Sequence, residues 1–145
     1  MIRSEREYRE ALDRLKQDEE VIDLQRQKLS EHSLTEEEVS RALGPVLSFR
    51  DQLREEVEWY ERARRRDFEV SVDVRDIGRT LIALRIANGL SQKELADKLG
   101  VSEAQVSRDE RNEYHGIKLE RVHRVLEAMN ETIRFQVQYK PLVPA

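Results

Sequence analysis

Two helix-start signals eleven residues apart constrain this chain more than any other feature of it. Between Leu90 and Glu113 the sequence reads LSQKELADKLGVSEAQVSRDERNE. Ser91 stands three residues before Glu94, and Ser102 three before Gln105. At that spacing a serine hydroxyl accepts from an orphan amide of the first helical turn, while the acid or amide reaches back to the serine backbone. Leu90 with Leu95, and Val101 with Val106, have the spacing of a hydrophobic staple across each start. Gly100 can adopt the left-handed conformation that ends the first helix. Two short helices joined by a glycine turn are therefore expected here.

The N-terminal half has a different character. Ser4 and Glu7 form a further capping box, and the following residues are strong helix formers without Pro or Gly, which predicts one helix to about His32. Its apolar residues Tyr8, Leu12, Leu15, Ile22 and Leu29 lie near a seven-residue seam, with Glu19 and Arg26 in the gaps. Thr35 with Glu38, and Leu34 with Val39, announce a second helix that Gly44-Pro45 should break or kink. Beyond it Val46, Leu53, Val57 and Tyr60, with Phe49 and Trp59 nearby, continue an apolar face to about Arg66. The two helices are expected to fold back as an antiparallel hairpin. The basic cluster Arg62, Arg64, Arg65 and Arg66 has two readings: complementing the negative end of the helix, or contacting phosphate.

The pattern then changes period. Phe68, Val70, Val72 and Val74 alternate with polar residues, as do Ile133, Phe135, Val137 and Tyr139. Each run has the signature of a half-buried strand, and the two are expected to pair, most naturally antiparallel, with an option to continue across a two-fold axis. Between them a helix from about Asp76 to Asn88 should bury Ile77, Leu81, Leu84 and Ile86 and end at Gly89. A last helix from about Lys118 should bury Leu119, Val122, Leu126 and Met129 and end at Asn130. The tail from Lys140 carries Pro141 and Pro144 and is expected to be extended or frayed.

Two capped helices around a glycine make a helix-turn-helix, whose second helix fits a DNA major groove. At these residues the chain resembles the lambda-repressor-like, or Xre, regulators. The resemblance rests on Leu90-Ser91-Gln92, Glu94-Leu95-Ala96, Leu99-Gly100-Val101-Ser102 and Val106-Ser107-Arg108 followed by Glu110, and covers roughly Asp76 to Asn130. It implies a recognition helix at about 103–111. DNA contacts would come from Glu103, Ala104, Gln105, Ser107, Arg108 and Arg111, with Ser91, Gln92 and Ser102 toward the phosphates. Arg108 suits guanine O6 and N7, Gln105 suits adenine if it points outward, and Glu103 is repelled by phosphate unless it accepts from cytosine N4. The resemblance also implies a structural ion pair between Arg85 and Glu110. Asp109 stands where such proteins carry an apolar residue, so either the helix ends differently or Asp109 finds a basic partner. The turn from Arg111 to Gly116 is longer than usual, with Tyr114 available to fill the gap.

Charge qualifies this picture. The chain has 145 residues and a net charge of -4. Up to Asp67 there are 14 basic and 18 acidic residues, and beyond it 12 of each, so the acidity lies wholly in the first part. DNA binding therefore requires the positive charges of the second part to gather on one face. There is no cysteine, which excludes disulfides and thiolate metal sites. No apolar run suits a membrane span, and MIRSEREY lacks a signal-peptide core, so the cytoplasm is the expected location. His32, His115 and His123 are scattered, no nucleophile or phosphate-loop motif occurs, and neither enzyme activity nor a cofactor is expected.

The expected architecture is thus mainly α. A helical hairpin (1–67) for dimerisation or partner docking precedes a helix-turn-helix domain of four to five helices (68–140) flanked by two paired short strands, and a tail (141–145). The expected function is a dimeric, sequence-specific transcriptional regulator of repressor type, binding double-stranded DNA. The alternative is an antitoxin whose hairpin binds a toxin protein while the helix-turn-helix represses its own operon.

Overall fold

The computed structural model describes residues 1–69 and 71–143, and these are helical or irregular throughout. The helices are α1 (Glu5–Glu31), α2 (Glu36–Arg64), α3 (Ile77–Ala87), α4 (Gln92–Leu99), α5 (Glu103–Arg111) and α6 (Leu119–Ala128), with a single 3-10 turn at Val74–Asp76.

α1 and α2 form an antiparallel hairpin. Tyr8 stacks on Tyr60 with ring centroids 5.0 Å apart and its hydroxyl donates to Glu61, while farther along the pair Arg54 meets Glu19. Ser4 caps α1 by accepting from the Glu7 amide, but the Glu7 carboxylate accepts from the Arg3 amide, one residue outside the expected box. The box of Thr35 and Glu38 closes in both directions. α2 runs through Gly44-Pro45 without a break. Pro45 cannot donate to the Arg41 carbonyl, and what carries the helix across that gap is packing. Val39 and Leu43 before the proline, and Val46 and Leu47 after it, all belong to one cluster around Ile22 of α1. The seam of α1 also differs from the heptad expectation in one place. Ala11 is buried, whereas Leu12 is 39% exposed, because a small residue is what lets the helices approach. Phe49 stands 73% exposed and so does not extend the apolar face of α2.

One continuous core joins the open end of the hairpin to the later helices. Ile2, Ala11, Val57, Tyr60 and Ala63 pack with Leu81, Ile82, Leu95, Val106 and Val125. Leu81, Ile82, Leu95 and Val125 are essentially inaccessible, and burial of each such side chain contributes on the order of 2 kcal/mol. α6 buries Val122, Val125 and Leu126, with Met129 just beyond it, but Leu119 is 72% exposed, since the first turn of α6 projects past the core. Gly78 lets the chain after α5 lie directly on α3: a Cβ there would come 1.8 Å from the Glu113 carbonyl oxygen.

The two paired strands do not form. Among the described residues no strand is present; Val70, Pro144 and Ala145 lie outside them. Among the described residues of the two alternating runs only Phe68 and Ile133, the first apolar residue of each, pack on the core. The two runs begin at one corner, where Arg66 is ion-paired with Glu131. Beyond it Val72, Val74, Phe135, Val137 and Tyr139 are exposed, and an isolated two-stranded ribbon with no core to cover is marginal in water. Locally, Asp73 accepts from both the backbone and the guanidinium of Arg75 and turns the chain into the 3-10 segment instead.

Candidate nucleic-acid interface

The serine-started helices set the geometry of the interface. Ser91 accepts from the Glu94 amide and the Glu94 carboxylate accepts from the Ser91 amide, which holds that carboxyl below its ordinary pKa. Gly100 takes φ 67° and ends α4 in the left-handed conformation, a position that strongly favours glycine. Ser102 then caps α5 by accepting from the Gln105 amide. The second box is open, because the Gln105 side chain reaches forward to donate to Asp109 instead of reaching back to accept from the Ser102 amide. Leu95 and Val106, the inner halves of the two staples, are buried.

Burial of Val106 and Glu110 fixes the rotation of α5. Glu103, Ala104, Arg108 and Arg111 are exposed on its outer side, and Gln105 and Ser107 are half-buried at its edges. Ser91 and Ser102 are exposed; each hydroxyl is used as a cap acceptor, which leaves its proton free for an external acceptor. Gln92 is half-buried and its amide donates to Glu110 at 2.7 Å. Arg3, Ser4 and Glu5 border a recess of about 370 Å³ together with Ser91, Gln92 and Glu103, so the start of α1 stands beside this face without covering α5.

Behind the face lies a buried polar network. Arg85 of α3 binds Glu110 of α5 through Nε and Nη2, and both side chains are almost wholly inaccessible. The guanidinium also donates to the carbonyls of Leu90 and Arg3. One residue thus ties together α3, the entry to α4, the start of α1 and the reading helix, and with Gln92 added every oxygen of the Glu110 carboxylate has a donor. Sequence reasoning missed the Arg3 and Leu90 carbonyls and the turn of Gln92 toward Glu110; a backbone acceptor 82 positions away leaves no local signal.

Asp109 has a basic partner. Arg121 of α6 and Gln105 both donate to its carboxylate, which converts what would be a buried charge into a clasp between α5 and α6. The longer turn after α5 contains Glu113 and Tyr114 in succession at φ 49° and 53°, an unfavourable pairing for residues with side chains. Tyr114 offsets it by being buried, and that burial, with the carboxylates of Glu110 and Asp109 nearby, raises its hydroxyl pKa well above the ordinary range.

The basic cluster at the end of α2 is engaged with protein groups. Arg62 pairs with Asp67, Arg64 with Glu5 while lying over Tyr8 and Tyr60, and Arg66 with Glu131 and Asn88; Arg65 forms the cap of the helix. Among the described residues no group of three or more His, Cys, Asp or Glu is arranged to hold a metal, and no helix is long and apolar enough to cross a membrane.

A family model for helix-turn-helix domains, of the Xre or lambda-repressor-like kind, matches residues 81–136. The match runs from within α3 to beyond α6 and contains the whole face described above. Comparison with curated proteins and with solved structures returned no significant match.

Proposed function

We propose that this protein is a non-enzymatic, sequence-specific DNA-binding regulator that represses transcription as a dimer. In this reading α5 enters the major groove. Arg108 and Arg111 approach base edges or phosphates, and Ser91, Ser102 and the amide end of α4 approach the backbone. The observation that carries the reading is the outward Arg108, without an ion-pair partner among the described residues, on a helix held from behind by a buried ion pair. A helix so held favours base readout, because it presents the guanidinium at one place where it can meet guanine O6 and N7 together. The cytoplasm is the corresponding location.

A duplex selected from a randomised pool tests it. Binding should weaken steeply with salt, and Arg108→Ala should lose about 1–3 kcal/mol of base discrimination at one position per half-site. Equal affinity and equal preference of wild type and variant would reject the assignment.

A second reading, an antitoxin, has one observation in its favour. The acidity resides in the hairpin, where Glu7, Glu10, Asp18 and Glu56 outnumber the cations of Arg14 and the Met1 amino group around a groove that the exposed Phe49 borders. A basic toxin would fit such a surface. Recovery of a small basic protein with the full-length chain from its host, lost on Phe49→Lys, would support it; recovery unaffected by that change would oppose it.

A further inference from the structure

The C-terminal run after α6 is the least satisfied part of the surface. Ile133 packs on the core, but Phe135 is 62% exposed, Val137 96% and Tyr139 87%. Contiguous apolar exposure of this kind is uncommon on a monomer and marks an interaction surface. The segment carries no helix, and its apolar residues alternate with Arg134, Gln136 and Gln138. That alternation is the sequence pattern of a strand, here without a ladder to join.

We propose that residues 132–140 pair antiparallel with the same segment of a second copy, and that this two-stranded ribbon holds the dimer. The choice of occupant comes from the segment's own sequence. An antiparallel strand pairs with itself about a two-fold axis, and the register centred on Gln136 is selected by chemistry. It sets Ile133 opposite Tyr139 and Phe135 opposite Val137, so all four apolar residues meet an apolar residue on one face. It sets Arg134 opposite Gln138 and Thr132 opposite Lys140, so no like charges meet. Centring on Val137 would bring Arg134 against Lys140, and centring on Phe135 would bring Tyr139 against Glu131. Pro141, which has no amide proton, ends the ladder just where the complementarity ends. Ile133 and the clasp of Glu131 with Arg66 anchor each ribbon to its own core, so the pairing fixes the separation of the two reading helices. The use of this dimer rests on the DNA-binding reading above; its existence does not.

The chain contains no cysteine, which makes a register test clean. In Gln136→Cys the two introduced thiols face each other across the axis and should oxidise to a covalent dimer. In Gln138→Cys they lie about 13 Å apart along the ribbon, beyond disulfide reach, and should not. By sedimentation, wild type should have twice the chain mass of 17.2 kDa and Val137→Asp the single mass, with unchanged helical circular dichroism. A monomeric wild type, a dimer that survives Val137→Asp, or equal cross-linking at both positions would overturn the proposal. All of this is read without DNA, so failure here is distinguishable from failure to bind a duplex.

Discussion

The Arg85–Glu110 pair offers the sharpest test of how the reading helix is held. The two side chains are 3% and 1% exposed. Glu110→Leu removes the carboxylate and leaves the guanidinium buried with two carbonyl partners, which should cost about 3–5 kcal/mol. Arg85→Met should cost at least as much, on the order of 4–6 kcal/mol. It strands the Glu110 carboxylate against the Gln92 amide alone and also orphans the Leu90 and Arg3 carbonyls, each worth roughly 1–2 kcal/mol. In the double variant Arg85→Met with Glu110→Leu no charge remains buried, and the two carbonyls and the half-buried Gln92 amide are what lose their partners. Its cost should therefore be about 2–4 kcal/mol, well below the sum of the single changes and close to the smaller of them. For a chain of this size each kcal/mol lowers Tm by about 2–4 °C, so the single variants should melt roughly 6–24 °C below wild type. Urea unfolding followed by circular dichroism measures all four proteins. Single changes under about 1 kcal/mol, or a double variant equal to the sum of the singles, would refute the claim that a desolvated pair fastens α5 to α3.

Two further outcomes follow from local geometry. Gly78→Ala should destabilise by at least about 2 kcal/mol, because the new Cβ would overlap the Glu113 carbonyl oxygen and force backbone apart, whereas Gly44→Ala, with nothing near its Cβ, should be neutral or stabilising in the same thermal melt. Glu131 is subject to burial, which opposes ionisation, but hydrogen bonds from Arg66 and Asn88 outweigh it and hold its folded pKa below the ordinary value. A depressed folded pKa means stability that is present above the unfolded value and lost as pH falls through the folded one. Wild type should therefore lose stability more steeply than Glu131→Gln between about pH 5 and about pH 3, as read by urea midpoints, and parallel acid limbs would contradict this.

What could be read in the sequence and what could not divides by the range of the interaction. Ser91 with Glu94, Thr35 with Glu38, and Gly100 after α4 act within three or four positions, so residue identity and spacing are sufficient to place the helix starts and the turn between them. The outward position of Arg108 follows once Val106 is inside, because a helix leaves no other freedom. Long-range choices were not legible. Gln105 has equal local reasons to reach back to Ser102 or forward to Asp109, and Arg121 on another helix binds one oxygen of the Asp109 carboxylate while the other receives Gln105. Pro45 ought to end a helix on local grounds, yet the cluster around Ile22 spans it and sustains α2. Alternation from Phe68 and from Ile133 states only which face a strand would bury if a partner lay alongside. Past the corner at Arg66 and Glu131, Val72, Val74, Phe135, Val137 and Tyr139 meet no core to cover, so neither alternation is used. Local hydrogen bonds are thus determined by the chain itself, while pairing and burial depend on where the tertiary structure brings distant backbone, and no spacing rule contains that information.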